Sequence, residues 1–133
     1  MHEAFAAVIP GDLAEIAGAR ESLERRVVKW GWPEPDAVVL VAHELVANAV
    51  RHGCRSSGDT VRLAAHRAER LLLITVEDPS PDPPVPRSAG LGATDGRGLA
   101  LVDALTTCWG YGPAAEGPGK QVWCLISDGS CPP

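Results

Sequence analysis

Fourteen residues, Ala37 to Val50, read AVVLVAHELVANAV and contain only three polar side chains, His43, Glu44 and Asn48. The run is too long for one strand and holds neither Gly nor Pro. It predicts a helix that is apolar nearly all round and is therefore buried. Such a helix needs cover on every side, and a chain of 133 residues is long enough to supply it within one domain. Glu44 and Asn48 stand at i and i+4, about 40° apart around the axis and roughly 6 Å along it, so they share a face. Continuing that stripe leads to Arg51 and His52, and Gly53 stops the helix. A carboxylate and an amide placed there lose free energy, roughly 2–7 kcal/mol for the amide alone, unless they find partners. A hard metal ion and a reacting hydroxyl would serve. A satisfied pair bonding backbone groups is the ordinary alternative.

Composition removes several function classes. Hydrophobic residues make up 45% and charged residues 22%, as in an ordinary globular domain. The net charge of −5 argues against a surface for a phosphate backbone, so no direct nucleic-acid contact is expected. The N-terminus MHEAFAAVIPGD lacks the basic start and apolar core of a signal peptide, and no run approaches a membrane span. A cytoplasmic protein away from membranes is expected. Cys54, Cys108, Cys124 and Cys131 form no C-x-x-C pair and read as reduced thiols. His43-Glu44 begins like a zinc H-E-x-x-H motif, but Ala47 takes the second histidine's place.

The remaining elements follow from periodicity. Residues 3–9 predict a strand. Pro10, Gly11 and Asp12 open a helix, and Leu13, Ile16, Leu23, Val27 and Trp30 keep its spacing to Gly31. Pro33 and Pro35 flank the start of the apolar helix, which is expected to run to His52. Residues 60–67 and 70–77 read as a hairpin around Ala68 and Glu69; the second strand, more apolar, belongs nearer the sheet's centre. Residues 79–96 hold five prolines and fit no packed element, which marks a functional lid or a disordered segment. Helix resumes at Arg97, and residues 108–112 and 120–127 close the domain as a hairpin carrying Trp109 and Trp123. The domain is expected over 1–127, with 128–133 a disordered tail. The fold class is α+β: a two-layer sandwich with a mixed, mostly antiparallel sheet and helices on one face.

Three features then fall in order. The first is Glu44-x-x-x-Asn48 on the buried helix. The second is Asp78, the first charge after the apolar strand LLLITVE has ended. The third is Gly96-Arg97-Gly98 ahead of LALVDAL, where backbone N–H groups at a helix start can meet an anion. A tight turn that merely caps a helix would leave the same three residues. Taken together, the set resembles the histidine-kinase/gyrase-type (GHKL) ATPases. ELVANAVRHG is similar to their N-box, VEDPSP sits where their D-x-G box falls, GRGLALVDALTTCWG resembles their lid-to-helix box, and GKQVWCLI resembles their last strand. The resemblance covers about residues 12 to 126. Its wording is similar to anti-sigma-factor serine/threonine kinases and stand-alone actinobacterial ATP-binding regulators.

The resemblance implies roles. Asn48 would ligate Mg²⁺ against the ATP phosphates, and Glu44 would act as general base. Asp78 would accept from the adenine amino group, with Ser80 beside it. Gly96, Arg97, Gly98 and Leu99 would meet the phosphates, and residues 79–95 would form the ATP lid. It also implies a sigma factor and a STAS-type anti-anti-sigma protein as partners, and leaves homodimer or monomer open. Two departures bear on nucleotide affinity rather than fold. Ser80 and Asp82 stand where the D-x-G-x-G box has glycines, and Lys120-Gln121 stand for a Gly-Thr, with Gln121 in the threonine's place. The implied function is an ATP-dependent serine/threonine kinase. The alternative is a regulatory module that sequesters a partner without turnover, with or without nucleotide.

Overall fold

Alternation builds the sheet. Val61, Leu63 and Ala65 of β2 (Thr60–Ala68), Leu72, Ile74 and Val76 of β3 (Leu71–Asp78), and Val122, Cys124 and Ile126 of β5 (Lys120–Ser127) all bury on one side. With β1 (His2–Pro10) and β4 (Cys108–Pro113) these strands form a five-stranded sheet in the order β1-β2-β3-β5-β4. The structure is a computed structural model that describes residues 2–84, 94–115 and 117–128, with backbone alone for residue 2 and for 94–99. This is the expected α+β sandwich with helices on one face, and among the described residues every strand pairing of its mostly antiparallel sheet is antiparallel. The apolar strand β3 does sit at the centre, between β2 and β5. Cys54, Cys108 and Cys124 are free thiols; Cys131 and the expected tail from residue 129 lie outside the described residues.

The β2–β3 turn falls one residue later than the sequence predicts. Ala68 still pairs, with Leu71, and the turn is Glu69-Arg70. Glu69 takes φ 54°, a left-handed conformation that costs an L-residue free energy. Arg67 Nε donates to its carbonyl at 3.0 Å.

Helices cover one face of the sheet. Asp12 caps a 3₁₀ turn, Leu13–Glu15, its carboxylate accepting from the Ala14 N–H at 3.0 Å. The chain continues into α1 (Ile16–Lys29) and leaves it through Gly31 at φ 74°. Pro35 sits in the first turn of α2 (Pro35–Asn48), where a missing N–H costs nothing. This is the apolar run, and Val38, Val41, Ala42, Leu45, Val46 and Ala47 bury as its composition requires. It packs between α1 and α3 (Thr94–Leu105) and against β2 and β3. No described helix is long and apolar enough to cross a membrane.

Two helix ends differ from expectation. The α-helix stops at Asn48, and Ala49–Gly53 form one π-turn, a widened ladder that often marks functional sites. The third helix starts at Thr94 rather than Arg97, so Gly96, Arg97 and Gly98 lie inside it instead of in a turn ahead of it. The far face of the sheet carries Trp123, half-buried and lying over Gly110, where an added Cβ would come within 2.7 Å of the indole.

Candidate functional site

Asp78 ends β3 on the helix-facing side and is only 5% exposed. A buried carboxylate must be neutralised or hydrogen-bonded; Ser80 and Lys120 supply this, and Gly53 packs against it. The Ser80 N–H donates to Oδ1 at 2.9 Å, and the Asp82 N–H donates to Ser80 Oγ at 3.2 Å, which ties down the start of the proline-rich stretch. The π-turn brings Gly53 against the carboxylate; a Cβ there would lie 2.3 Å from Asp78 Cγ, so only glycine admits the approach. Lys120, the first residue of β5, pairs with Asp78 in the β3–β5 register. Its Nζ donates to Oδ1 at 3.1 Å and lies 3.0 Å from Oδ2. Oδ2 itself is buried and accepts no hydrogen bond among the described residues.

Sequence reading missed Lys120. It placed Gln121 at this position, but strand alternation turns Gln121 to the opposite face, opposite Glu77. The signal was present: Val122, Cys124 and Ile126 point inward, and the same period of two puts Lys120 inward as well. Gly119 is bound to the same corner, since a Cβ there would meet the Asp78 carbonyl oxygen at 1.9 Å. Gly119 and Lys120, not Lys120 and Gln121, are therefore the residues that face Asp78.

Leu45, Asn48, Ala49 and His52 close a cavity from the helix side; Asp78, Lys120 and Val122 close it from the sheet, and Pro84 borders it. Its volume is about 20 Å³, room for one water. Asn48 and Asp78 thus meet across one space. Glu44 is half-buried one helical turn before Asn48 and does not border the cavity. Gly96, Arg97, Gly98 and Leu99 fall in the first turns of α3, where the side chains are outside the described ones. Of the expected lid, residues 79–84 are described and 85–93 are not. His43 sits on another flank of α2, its Nδ1 buried without a hydrogen bond among the described residues. Burial first, and Arg20 next, hold its pKa below the usual imidazole value.

A model of the histidine kinase-like ATPase domain matches residues 9–124, from the end of β1 into β5. The chain belongs to that family. Among solved structures, one that is similar is the histidine kinase domain from the Erythrobacter litoralis EL346 blue-light activated histidine kinase. It is 18% identical with a TM-score of 0.51, covering 89% of this chain and 61% of that one. At that identity the likeness is one of fold, and the chain spans 61% of the length of the kinase domain it matches. No curated protein matches. Membership in this ATPase-domain family implies ATP as the nucleotide.

The residues present fit such a ligand. Asp78 Oδ2 is a buried acceptor that has the Lys120 ammonium 3.0 Å away but no hydrogen bond of its own among the described residues, and the adenine 6-amino group is a donor of the right kind. The Asn48 amide oxygen is a hard ligand suited to Mg²⁺, which takes few protein groups and keeps several waters. Among the described residues no cluster of three His, Cys, Asp or Glu side chains could hold a metal. A cation here would depend on Asn48 and on phosphate oxygens.

Proposed function

We propose that this ATPase domain is an anti-sigma-factor-like serine/threonine protein kinase. It acts in the cytoplasm on a serine of a STAS-type anti-anti-sigma partner, and through that partner on a sigma factor. The observation that carries the reading is the meeting of Asn48 and Asp78 across one cavity, with Glu44 one turn away on the same helix. Phosphoryl transfer needs positioning and charge compensation more than covalent chemistry. Asp78 orients the purine. Asn48 would hold Mg²⁺, which when bound neutralises charge on the phosphates. Glu44 takes the proton of the serine hydroxyl as the serine oxygen attacks the γ-phosphorus, and the bond from that phosphorus to the β,γ-bridging oxygen breaks to release ADP. A module that only binds needs no base at that position.

A second reading has an observation of its own. Lys120 already holds Asp78, and the space beside the pair has room for one water, which suits a module that sequesters a partner without turnover. The two are separated by incubating the protein and its partner with Mg²⁺-ATP and measuring acid-stable phosphate on serine. The wild type should transfer phosphate, and Glu44→Gln should transfer about 10²–10⁴-fold more slowly while binding ATP equally well. Unchanged turnover in Glu44→Gln would remove Glu44 as the base. Partner binding with no transfer at all would favour the second reading.

A further inference from the structure

We infer that Lys120 is a resident competitor for the purine: its ammonium occupies the carboxylate that would recognise adenine, and so sets both nucleotide affinity and base choice. The inference rests on the ATP-binding reading of this cavity and goes beyond it. Three observations converge. Lys120 Nζ is within 3.1 Å of Oδ1 and 3.0 Å of Oδ2 of Asp78. Both side chains are nearly sealed from water, 6% and 1% exposed, so the pair is neither screened nor exchanged with solvent at little cost. The space beside the pair is about 20 Å³, room for one water, so a purine that reaches the carboxylate meets the ammonium already on it.

The chemistry of base choice follows. A bare carboxylate accepts from the adenine 6-amino group and repels the guanine O6, which is also an acceptor. With an ammonium beside it, the same corner offers a donor as well, and guanine O6 has something to accept from. Lys120 therefore weakens adenine binding and blunts discrimination against guanine. Without the lysine, the Ser80 N–H still holds Oδ1 but Oδ2 lacks a partner until adenine supplies one, and a site of that kind rejects the analogue that cannot.

The test is calorimetric titration of the full chain with Mg²⁺-ATP, Mg²⁺-GTP and Mg²⁺-tripolyphosphate, comparing wild type with Lys120→Met. The variant should bind ATP about tenfold tighter or more, GTP no tighter, and tripolyphosphate equally. Equal ATP affinity in both proteins would overturn the inference and leave Lys120 as a strand-pairing residue. Parallel weakening of all three ligands would also overturn it, by making Lys120 a phosphate ligand. Failure of both proteins to bind any nucleotide would overturn the ATP reading itself, a result distinct from equal binding. Should the unpaired carboxylate prevent Lys120→Met from folding, Lys120→Gln keeps a neutral donor beside Asp78. It should shift ATP in the same direction with tripolyphosphate unchanged, and a failure to shift overturns the inference equally.

Discussion

Gly53 has no side chain because the Asp78 carboxylate takes up that space. A methyl group there would lie 2.3 Å from Cγ and 2.5 Å from Oδ1, and neither neighbour can yield: one side is the π-turn backbone, the other the pair with Lys120. Gly53→Ala should lower stability by about 1–3 kcal/mol, the usual cost of overfilling a packed site. In urea unfolding the midpoint should fall while the slope holds, because the surface exposed on unfolding is unchanged. A midpoint equal to wild type would mean the carboxylate moves aside freely. The same residue shows what sequence could reveal. Gly53 reads as a helix stop, and it is one; its closer task, admitting a carboxylate from a strand 25 positions away, has no local signature.

Among the elements, the β2–β3 hairpin carries a strain that one substitution can relieve. Glu69 sits at φ 54°, where its Cβ crowds the following carbonyl, and its described backbone partner, Arg67, contacts only the carbonyl oxygen. Glu69→Gly should stabilise the domain by roughly 0.5–1 kcal/mol, the relieved strain exceeding the added freedom of the unfolded chain. Thermal unfolding checks this; a lower midpoint would show that the turn relaxes around glutamate. The absence of Gly, Asn or Pro between Ala68 and Arg70 is also why sequence placed this turn one residue early. The long elements were legible for the opposite reason. The α2 run is apolar over too many residues to be anything but a buried helix, and β3 is too apolar to be an edge. The π-turn was hidden because its pattern continues the α-helical one, and the start of α3 because Gly96 and Gly98 read as breakers although Thr94 and Asp95 before them are good starters. Of the site, Glu44, Asn48 and Asp78 were legible as polar groups in apolar surroundings. Lys120 lies at the first position of a strand, where its inward direction emerges only when the alternation of Val122, Cys124 and Ile126 is carried back to it.

The whole molecule carries a pH response on the flank of α2. Burial, reinforced by Arg20, depresses the His43 pKa in the folded state below its ordinary 6.5. Between those two values the unfolded chain binds a proton that the folded chain refuses, so the contribution to stability is full above about pH 6.5 and falls as pH drops through that window. His43→Gln removes the titration, and its stability should decline less than that of the wild type between pH 7.5 and 5.5. Parallel decline in both proteins would place the acid sensitivity elsewhere. The two faces of the sheet are also separate worlds. The cavity lies on the helix side, whereas Trp123 stands on the far side above Gly110, half-buried beneath no described helix. An indole in that position is a native optical label. With Trp30, Trp32 and Trp109 replaced by phenylalanine, emission from it moves to the blue when something excludes water from the bare face and keeps its colour when a nucleotide enters through the opposite face, so colour then tells which of the two sides has been occupied.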